Sequence, residues 1–82
     1  FEDTYGWILY EQKKYSEALE WLHKAEQHGG ENNGTILEHI GDAYFRNGNI
    51  EEAMKYWKKA KASGNETSDT LDLKIQRKKI ID

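Results

Sequence analysis

A segment of this chain occurs twice at a constant offset, and this internal repeat restricts the possible fold more than any other feature. From Tyr5 the sequence reads YGWILYEQKKYSEALEWLHKA, and from Ile40 it reads IGDAYFRNGNIEEAMKYWKKA. Glycine aligns with glycine at positions 6 and 41, and alanine aligns with alanine at positions 18 and 53 and at 25 and 60. Every pair is separated by 35 residues, and such a period is typical of stacked helical hairpins.

Small and large side chains alternate at helical spacing within each copy. Ala18, Leu22 and Ala25 are four and three residues apart, so they share one helix face, and Ala53, Trp57 and Ala60 repeat the pattern. Small residues let two helices approach closely while one large side chain fills the gap between them. The repeated glycines, Gly6 and Gly41, predict the same close approach on the facing helix, because a mid-helix glycine otherwise weakens the helix.

Capping and turn residues divide each copy into two helices. In the second copy, Thr35 to Glu38 is a capping-box signal that opens a helix, and Asn49 opens the next. Gly48 and Gly64 are expected to end these two helices, since glycine tolerates a left-handed turn. In the first copy Lys13 stands where the second has Gly48, Ser16 is a candidate N-cap, and Gly29-Gly30 closes the second helix.

The sequence therefore predicts one all-α module over residues 1–82. Unit one covers 1–30 and is cut off at its start, a polar linker covers 29–34, and unit two covers 35–64. A last helix over 68–81 carries an apolar stripe from Leu71, Ile75 and Ile80 or Ile81, and its other faces are rich in lysine. This helix is expected to cap the end of the stack.

Composition excludes several classes of protein. The chain has no cysteine, so disulfides and thiolate metal sites are absent, and no apolar run is long enough for a membrane span. The net charge of −3 gives no general footprint for nucleic acid. Residues 1–45 carry 3 lysine or arginine residues and 9 acidic residues, and residues 46–82 carry 9 lysine or arginine residues and 6 acidic residues. This distribution indicates either an uneven solvated surface or a bipolar module.

No pattern of catalytic, cofactor-binding or metal-binding residues is evident. His23 and His28 are five residues apart and diverge around a helix, and His39 lies beside Glu38 and Asp42 as a surface histidine among acids commonly does. The three serines lie near helix ends, where capping explains them. No targeting segment is visible, and a start at Phe1 inside a helix favours a piece of a longer protein.

The residues of the second copy resemble the tetratricopeptide repeat (TPR) family. The family pattern, W-x₂-L-G-x₂-Y followed by alanine, a large aromatic residue and alanine, is matched by Leu37, Ile40-Gly41, Tyr44, Ala53, Trp57 and Ala60. The closing proline is absent, with Asn65 near its place, and the repeat is one residue longer than usual. The end of the chain looks like the C-terminal repeats of a longer bacterial TPR protein. The resemblance implies an α-solenoid of two TPR helix-turn-helix units plus a C-terminal capping helix.

In this family the first helix of each pair lines a concave groove. The resemblance therefore implies a groove lined by Asp3, Trp7, Tyr10 and Glu11 of the first unit and by Thr35, Glu38, Asp42, Phe45 and Arg46 of the second. Trp7 and Tyr10 are either buried between repeats or form an aromatic floor that anchors a peptide. The acidic side chains disfavour a carboxylate-binding clamp and favour a basic or aromatic peptide.

The resemblance implies a protein-interaction scaffold whose groove binds a peptide or partner protein and which is not an enzyme. Two alternatives stay open: a structural or self-associating module without a groove ligand, and an accessory domain of a larger enzyme. Self-association is expected through an apolar N-terminal edge around Phe1, Tyr5, Ile8 and Tyr15.

Overall fold

Five helices account for most of the residues that the structure describes. The computed structural model describes residues 2–64 and 66–81, and within these ranges it contains helices and no strand. The helices are α1 (Glu2–Glu11), α2 (Tyr15–Ala25), α3 (Gly34–Arg46), α4 (Ile50–Ser63) and α5 (Leu71–Arg77). An irregular turn (Glu26–Gly30) follows α2, and its His28 and Gly29 have non-helical backbone angles. Expectations that fall on Phe1, Asn65 and Asp82 lie outside the described residues.

The helices pack as two pairs in sequence order. Helix α1 packs on α2 and α3 packs on α4, while α2 joins the pairs by packing on α3, and α5 packs on α4. The molecule measures 29 × 25 × 19 Å with a Cα radius of gyration of 11.2 Å, which is close to that expected of a globular domain of this length. The core is therefore continuous across both pairs.

The predicted contact between glycine and a large side chain is confirmed in both pairs. A Cβ atom on Gly41 would lie 2.4 Å from Trp57 Cδ1, and one on Gly6 would lie 2.9 Å from Leu22 Cγ. Both large side chains are fully buried. The alanines that flank them in sequence are buried as well: Ala18, Ala25, Ala53 and Ala60. The repeated small residues thus let each pair of helices close around one large side chain.

The helix starts follow the sequence in one case and differ in two. Asn49 caps α4 as predicted, its side chain accepting a hydrogen bond from the Glu52 amide at 3.2 Å. The prediction that Thr35 caps α3 is wrong, because Asn33 takes that role and accepts from the Ile36 amide at 3.1 Å. Helix α2 begins at Tyr15 without a side-chain cap, and Ser16 instead donates to the Asn47 side chain of the second pair.

The helix ends contain the left-handed residues that the sequence indicated. Gly48 and Gly64 have φ of 88° and 71°. Lys13, which aligns with Gly48, has φ of 65°, so the first turn adopts the same backbone without glycine. The turn after α2 uses Gly29 at φ of 108°.

The last helix is shorter than predicted. It spans Leu71–Arg77 instead of 68–81, because Lys78 adopts a left-handed conformation that ends it. Upstream, Ser68 is held in a turn by Glu38 of α3 rather than in the helix. Downstream, Ile80 packs against the core from non-helical backbone.

Candidate functional site

The predicted groove residues of α1 and α3 lie in two adjacent rows that are linked at both ends. Near the start of α1, Asp3 Oδ1 and His39 Nδ1 are 3.3 Å apart. Near its end, Arg46 Nε donates a hydrogen bond to the Tyr10 hydroxyl at 3.2 Å. The two helices therefore present one continuous surface formed by both pairs.

Aromatic rings stack at the centre of this surface. The ring centroids of Trp7 and Tyr10 are 4.5 Å apart with planes 8° from parallel. Trp7 and His39 are 4.0 Å apart at 20°, and Tyr10 meets Tyr15 edge-on. Trp7, Tyr10 and His39 are all half-buried, so this aromatic stack both packs the two pairs together and remains partly open to solvent.

Two of the predicted groove residues are buried in an ion cluster with a lysine of α5. Lys74 Nζ lies 2.7 Å from Glu38 Oε2 and 2.9 Å from Asp42 Oδ1. The exposed fractions of the three residues are only 3% for Glu38, 6% for Asp42 and 5% for Lys74. The carboxylates of Glu38 and Asp42 therefore face α5, and their role in binding a ligand stays a prediction.

Further hydrogen bonds complete this cluster. Trp57 Nε1 donates to Asp42 Oδ1 at 2.9 Å, and the backbone amide of Ser68 donates to Glu38 Oε1 at 2.7 Å. The Ser68 hydroxyl also donates to Glu38. Among the described residues, no buried side-chain nitrogen or oxygen lacks a partner, as a buried ionic group requires.

The three charged groups of the cluster differ in how far their partners offset the effect of burial. Burial opposes ionisation of Glu38, but the hydrogen bonds from Lys74 and Ser68 outweigh it, so the pKa of this carboxyl is lowered. Burial raises the pKa of Asp42 despite the attraction of Lys74. For Lys74, burial favours the neutral form, but the two carboxylates outweigh it and raise the pKa of the ammonium group.

The ion cluster and the aromatic stack occupy equivalent positions. Glu38 follows Asp3 by 35 residues, Asp42 follows Trp7, and Lys74 follows His39. His39 of α3 contacts Asp3 and Trp7, which lie one helical turn apart on α1. Lys74 of α5 likewise contacts Glu38 and Asp42, which lie one helical turn apart on α3. The same geometry is thus made from aromatic contacts between α1 and α3 and from ionic contacts between α3 and α5.

The remaining predicted residues differ in accessibility. Phe45 is half-buried and packs on Trp57, with ring centroids 5.9 Å apart, so much of its surface belongs to the core. Glu11 and Arg46 are exposed. Thr35 is half-buried and donates its hydroxyl to the Glu66 carbonyl oxygen at 2.9 Å.

A recess of about 390 Å³ opens between the aromatic stack and the ion cluster. Its walls include Trp7, Thr35, His39 and Thr70, and the ion cluster lies at its base. Neither His39 nor Lys74 is among the groove residues predicted from the sequence. Their shared offset of 35 residues from one another is the signal that could have identified them.

Other polar side chains pair with neighbours along the chain or on another element. His23 lies 3.2 Å from Glu26 and 3.0 Å from the Tyr44 hydroxyl, and His28 lies 2.6 Å from Glu2. Within residues 2–64 and 66–81, no group of three histidine or acidic side chains is placed to hold a metal ion. In the same ranges, no helix is both long and apolar enough to cross a membrane.

Comparison with known protein families gives a match. A family model described as a tetratricopeptide repeat-like domain matches residues 6–79, which is most of the chain. Searches of curated proteins and of solved structures give no significant match.

Proposed function

The chain belongs to the tetratricopeptide repeat-like family, and from this premise we propose that it is a non-catalytic scaffold that binds a peptide or partner protein. Helical repeat modules of this family typically mediate protein interactions. In this proposal the two helix pairs are successive units of an α-solenoid, and α5 caps the second unit. The contacts that recur at the 35-residue offset support this arrangement.

The proposed binding surface is the row of groove residues along α1 and α3. The observation that carries the proposal is the half-buried stack of Trp7, Tyr10 and His39 beside an open recess. Partly exposed, rigid aromatic rings are the side chains that most often anchor a partner, because they bury a large area at a small loss of conformational entropy. Asp3, Glu11, Phe45 and Arg46 flank the stack, while Glu38 and Asp42 form the base of the recess.

The preferred ligand is a basic or aromatic peptide. Glu38 and Asp42 together carry more negative charge than Lys74 neutralises, and Asp3 and Glu11 add to it at the rim. An acidic peptide entering this surface would be repelled, and a basic one would be attracted.

Titration of the chain with peptides of opposite charge tests this proposal. Basic and acidic peptides of equal length, each with one central tyrosine, would be added while the indole N–H signals of the three tryptophans are followed by NMR. The basic peptide is expected to shift the Trp7 signal saturably and to bind at least about fivefold more tightly than the acidic one. Preference for the acidic peptide, or shifts that spare Trp7, would refute the proposal.

A matched variant separates binding from folding. Trp7→Ala removes the central ring of the stack, whereas Trp21→Ala removes a half-buried tryptophan on another face of the first pair. Loss of peptide binding in the first variant but not in the second would support the groove.

A second candidate function is structural, with the N-terminal edge packing on another helical element or on a second copy. The exposed fractions of Tyr5 and Ile8, 45% and 48%, favour it because large apolar side chains are this exposed at only a few sites. Sedimentation of the wild-type chain at increasing concentrations tests self-association. A chain that stays monomeric at all concentrations would exclude self-association through this edge.

A further inference from the structure

One surface of the first pair occupies the positions that form a filled contact in the second pair. This surface, here called the open edge, consists of Tyr5 and Ile8 of α1 and Trp21 and Lys24 of α2. It lies outside the groove, and the first three residues line one apolar depression. Tyr5 and Trp21 meet edge-on at 4.8 Å.

The open edge and its counterpart share an arrangement of lysine over an aromatic ring. Lys24 Nζ lies 4.2 Å from the centroid of the Trp21 ring. Lys59 and Tyr56, which follow them by 35 residues, form the same contact at 4.4 Å. The backbone of α2 and that of α4 therefore present a cation and a ring in the same relative position.

In the second pair this arrangement is covered by a carboxylate. Glu26, which directly follows α2, lies with Oε2 3.5 Å from Lys59 Nζ and accepts a hydrogen bond from the Tyr56 hydroxyl at 3.2 Å. Its side chain is only 15% exposed. The apolar counterparts are covered too: Ile40 and Ala43, which follow Tyr5 and Ile8 by 35 residues, are fully buried where α2 packs on α3.

We infer that the open edge is a docking site for a partner helix that resembles α2 and carries a carboxylate at the place of Glu26. The second pair supplies the template, since a helix with small and large apolar residues on one face and a glutamate at its end covers the same set of positions there. Lys24 would bind the carboxylate of the partner, and Tyr5, Ile8 and Trp21 would bury its apolar face.

A second copy of the chain fits this site less well than a free helix does. Its Glu26 is already bound by its own Lys59 and Tyr56, and the face of α2 around Leu22 is fully buried. Helix α5 already packs on α4 of its last pair. The inferred partner is therefore a helix other than a second copy of this chain, and it carries a free acidic residue.

A charge-swap titration tests the inference on the complete 82-residue chain. The probe is a synthetic peptide with the sequence of residues 15–30, which holds α2 and Glu26 in one segment. With ¹⁵N-labelled protein and unlabelled peptide, the Trp21 indole and the Ile8 amide are expected to shift saturably. Lys24→Glu in the protein, or Glu26→Lys in the peptide, is expected to weaken binding about fivefold, and the two changes together are expected to restore it to within about twofold.

Controls make each outcome decisive. Lys55→Glu makes the same charge change at an exposed site on α4 and is expected to leave the affinity unaltered. Equal affinity for the Lys24→Glu protein, no saturable binding, or shifts centred on Tyr44 and Tyr56 would overturn the inference, the last because the peptide would then be replacing the chain's own α2. Trp7 lies in the groove and not at the open edge, so the Trp7→Ala protein is expected to bind the peptide with wild-type affinity.

Discussion

Single side chains explain why each helix pair closes as tightly as it does. The gap between α3 and α4 accommodates the ring of Trp57 only because position 41 has no Cβ atom. Trp57 in turn donates a hydrogen bond to Asp42, so the ring is held by its edge as well as by packing. The pair of Gly6 and Leu22 repeats the first of these contacts but not the second.

Gly41→Leu is expected to destabilise the chain by about 3 kcal/mol, because the new side chain must displace the buried Trp57 ring. Urea denaturation followed by circular dichroism measures the change. Ala62→Leu, at an exposed position of α4, is the matched control and should change stability by less than about 0.5 kcal/mol. A Gly41→Leu chain as stable as wild type would show that the crossing is looser than the structure indicates.

Lys13 and Gly48 allow a reciprocal test, because both occupy left-handed backbone at equivalent turns. Lys13→Gly removes the steric cost of a Cβ atom at positive φ, although it adds freedom to the unfolded chain. Because the first effect is larger, the free energy of unfolding is expected to rise by about 0.5–1 kcal/mol. Gly48→Lys should cost a similar amount. Thermal unfolding of both variants measures the effect, and a stabilised Gly48→Lys chain would contradict it.

At the scale of elements, the sequence predicted the helices well and their ends less well. Periodicity and the repeated glycines located four of the five helices because each buries one face. Asn33 rather than Thr35 caps α3 because the Thr35 hydroxyl is bound by Glu66 and the Glu38 carboxylate by Ser68 and Lys74. Such choices depend on the position of α5, which local sequence does not encode.

Helix α5 depends on the ion cluster for its docking. Lys74→Met leaves Glu38 and Asp42 buried without a cation, and α5 is expected to detach so that both become hydrated. We expect a loss of about 2–3 kcal/mol, with hydrogen-exchange protection lost first in α5. Adding Glu38→Gln and Asp42→Asn to this variant should recover part of the loss. Retained protection of α5 in Lys74→Met alone would show that apolar packing by Leu71 suffices.

At the scale of the whole molecule, the two pairs are joined through a polar contact within an apolar interface. Glu26 of the first pair accepts from the Tyr56 hydroxyl of the second, and His23 bonds Tyr44 beside it. Periodicity alone could not predict these partners, because they depend on the angle at which α2 crosses α3. The sequence indicated only that the pairs stack.

Stability is expected to fall in alkaline solution. The pKa of Tyr56 is raised by burial and by the nearby carboxylate of Glu26, and burial also raises the pKa values of Tyr44 and Tyr10. Because the folded-state pKa values lie above the ordinary tyrosine value of 10.0, the stability that these groups contribute is complete below about pH 10 and is lost as the pH rises through the folded-state values. The pKa of Lys74 is also raised, so the stability that Lys74 contributes is likewise lost as the pH rises.

Denaturation midpoints measured between about pH 7 and pH 11.5 check this expectation. Tyr56→Phe keeps the ring and removes the titrating hydroxyl, so its alkaline loss should be shallower than that of wild type. A wild-type midpoint that is constant across this range would contradict the assignment.

The different contacts made by His39 and Lys74 bear on how a repetitive chain avoids assembling in the wrong order. If α5 settled on α1 during folding, its ammonium group would meet an indole and one aspartate instead of two carboxylates, and it would be left underpaired as water was expelled. If α3 were left without α5, its two acids, one helical turn apart, would lie close together with no cation between them. Each wrong arrangement of the helices therefore carries an electrostatic penalty. Because the α1–α3 and α3–α5 contacts are similar in shape but different in chemistry, a single order of helices is favoured.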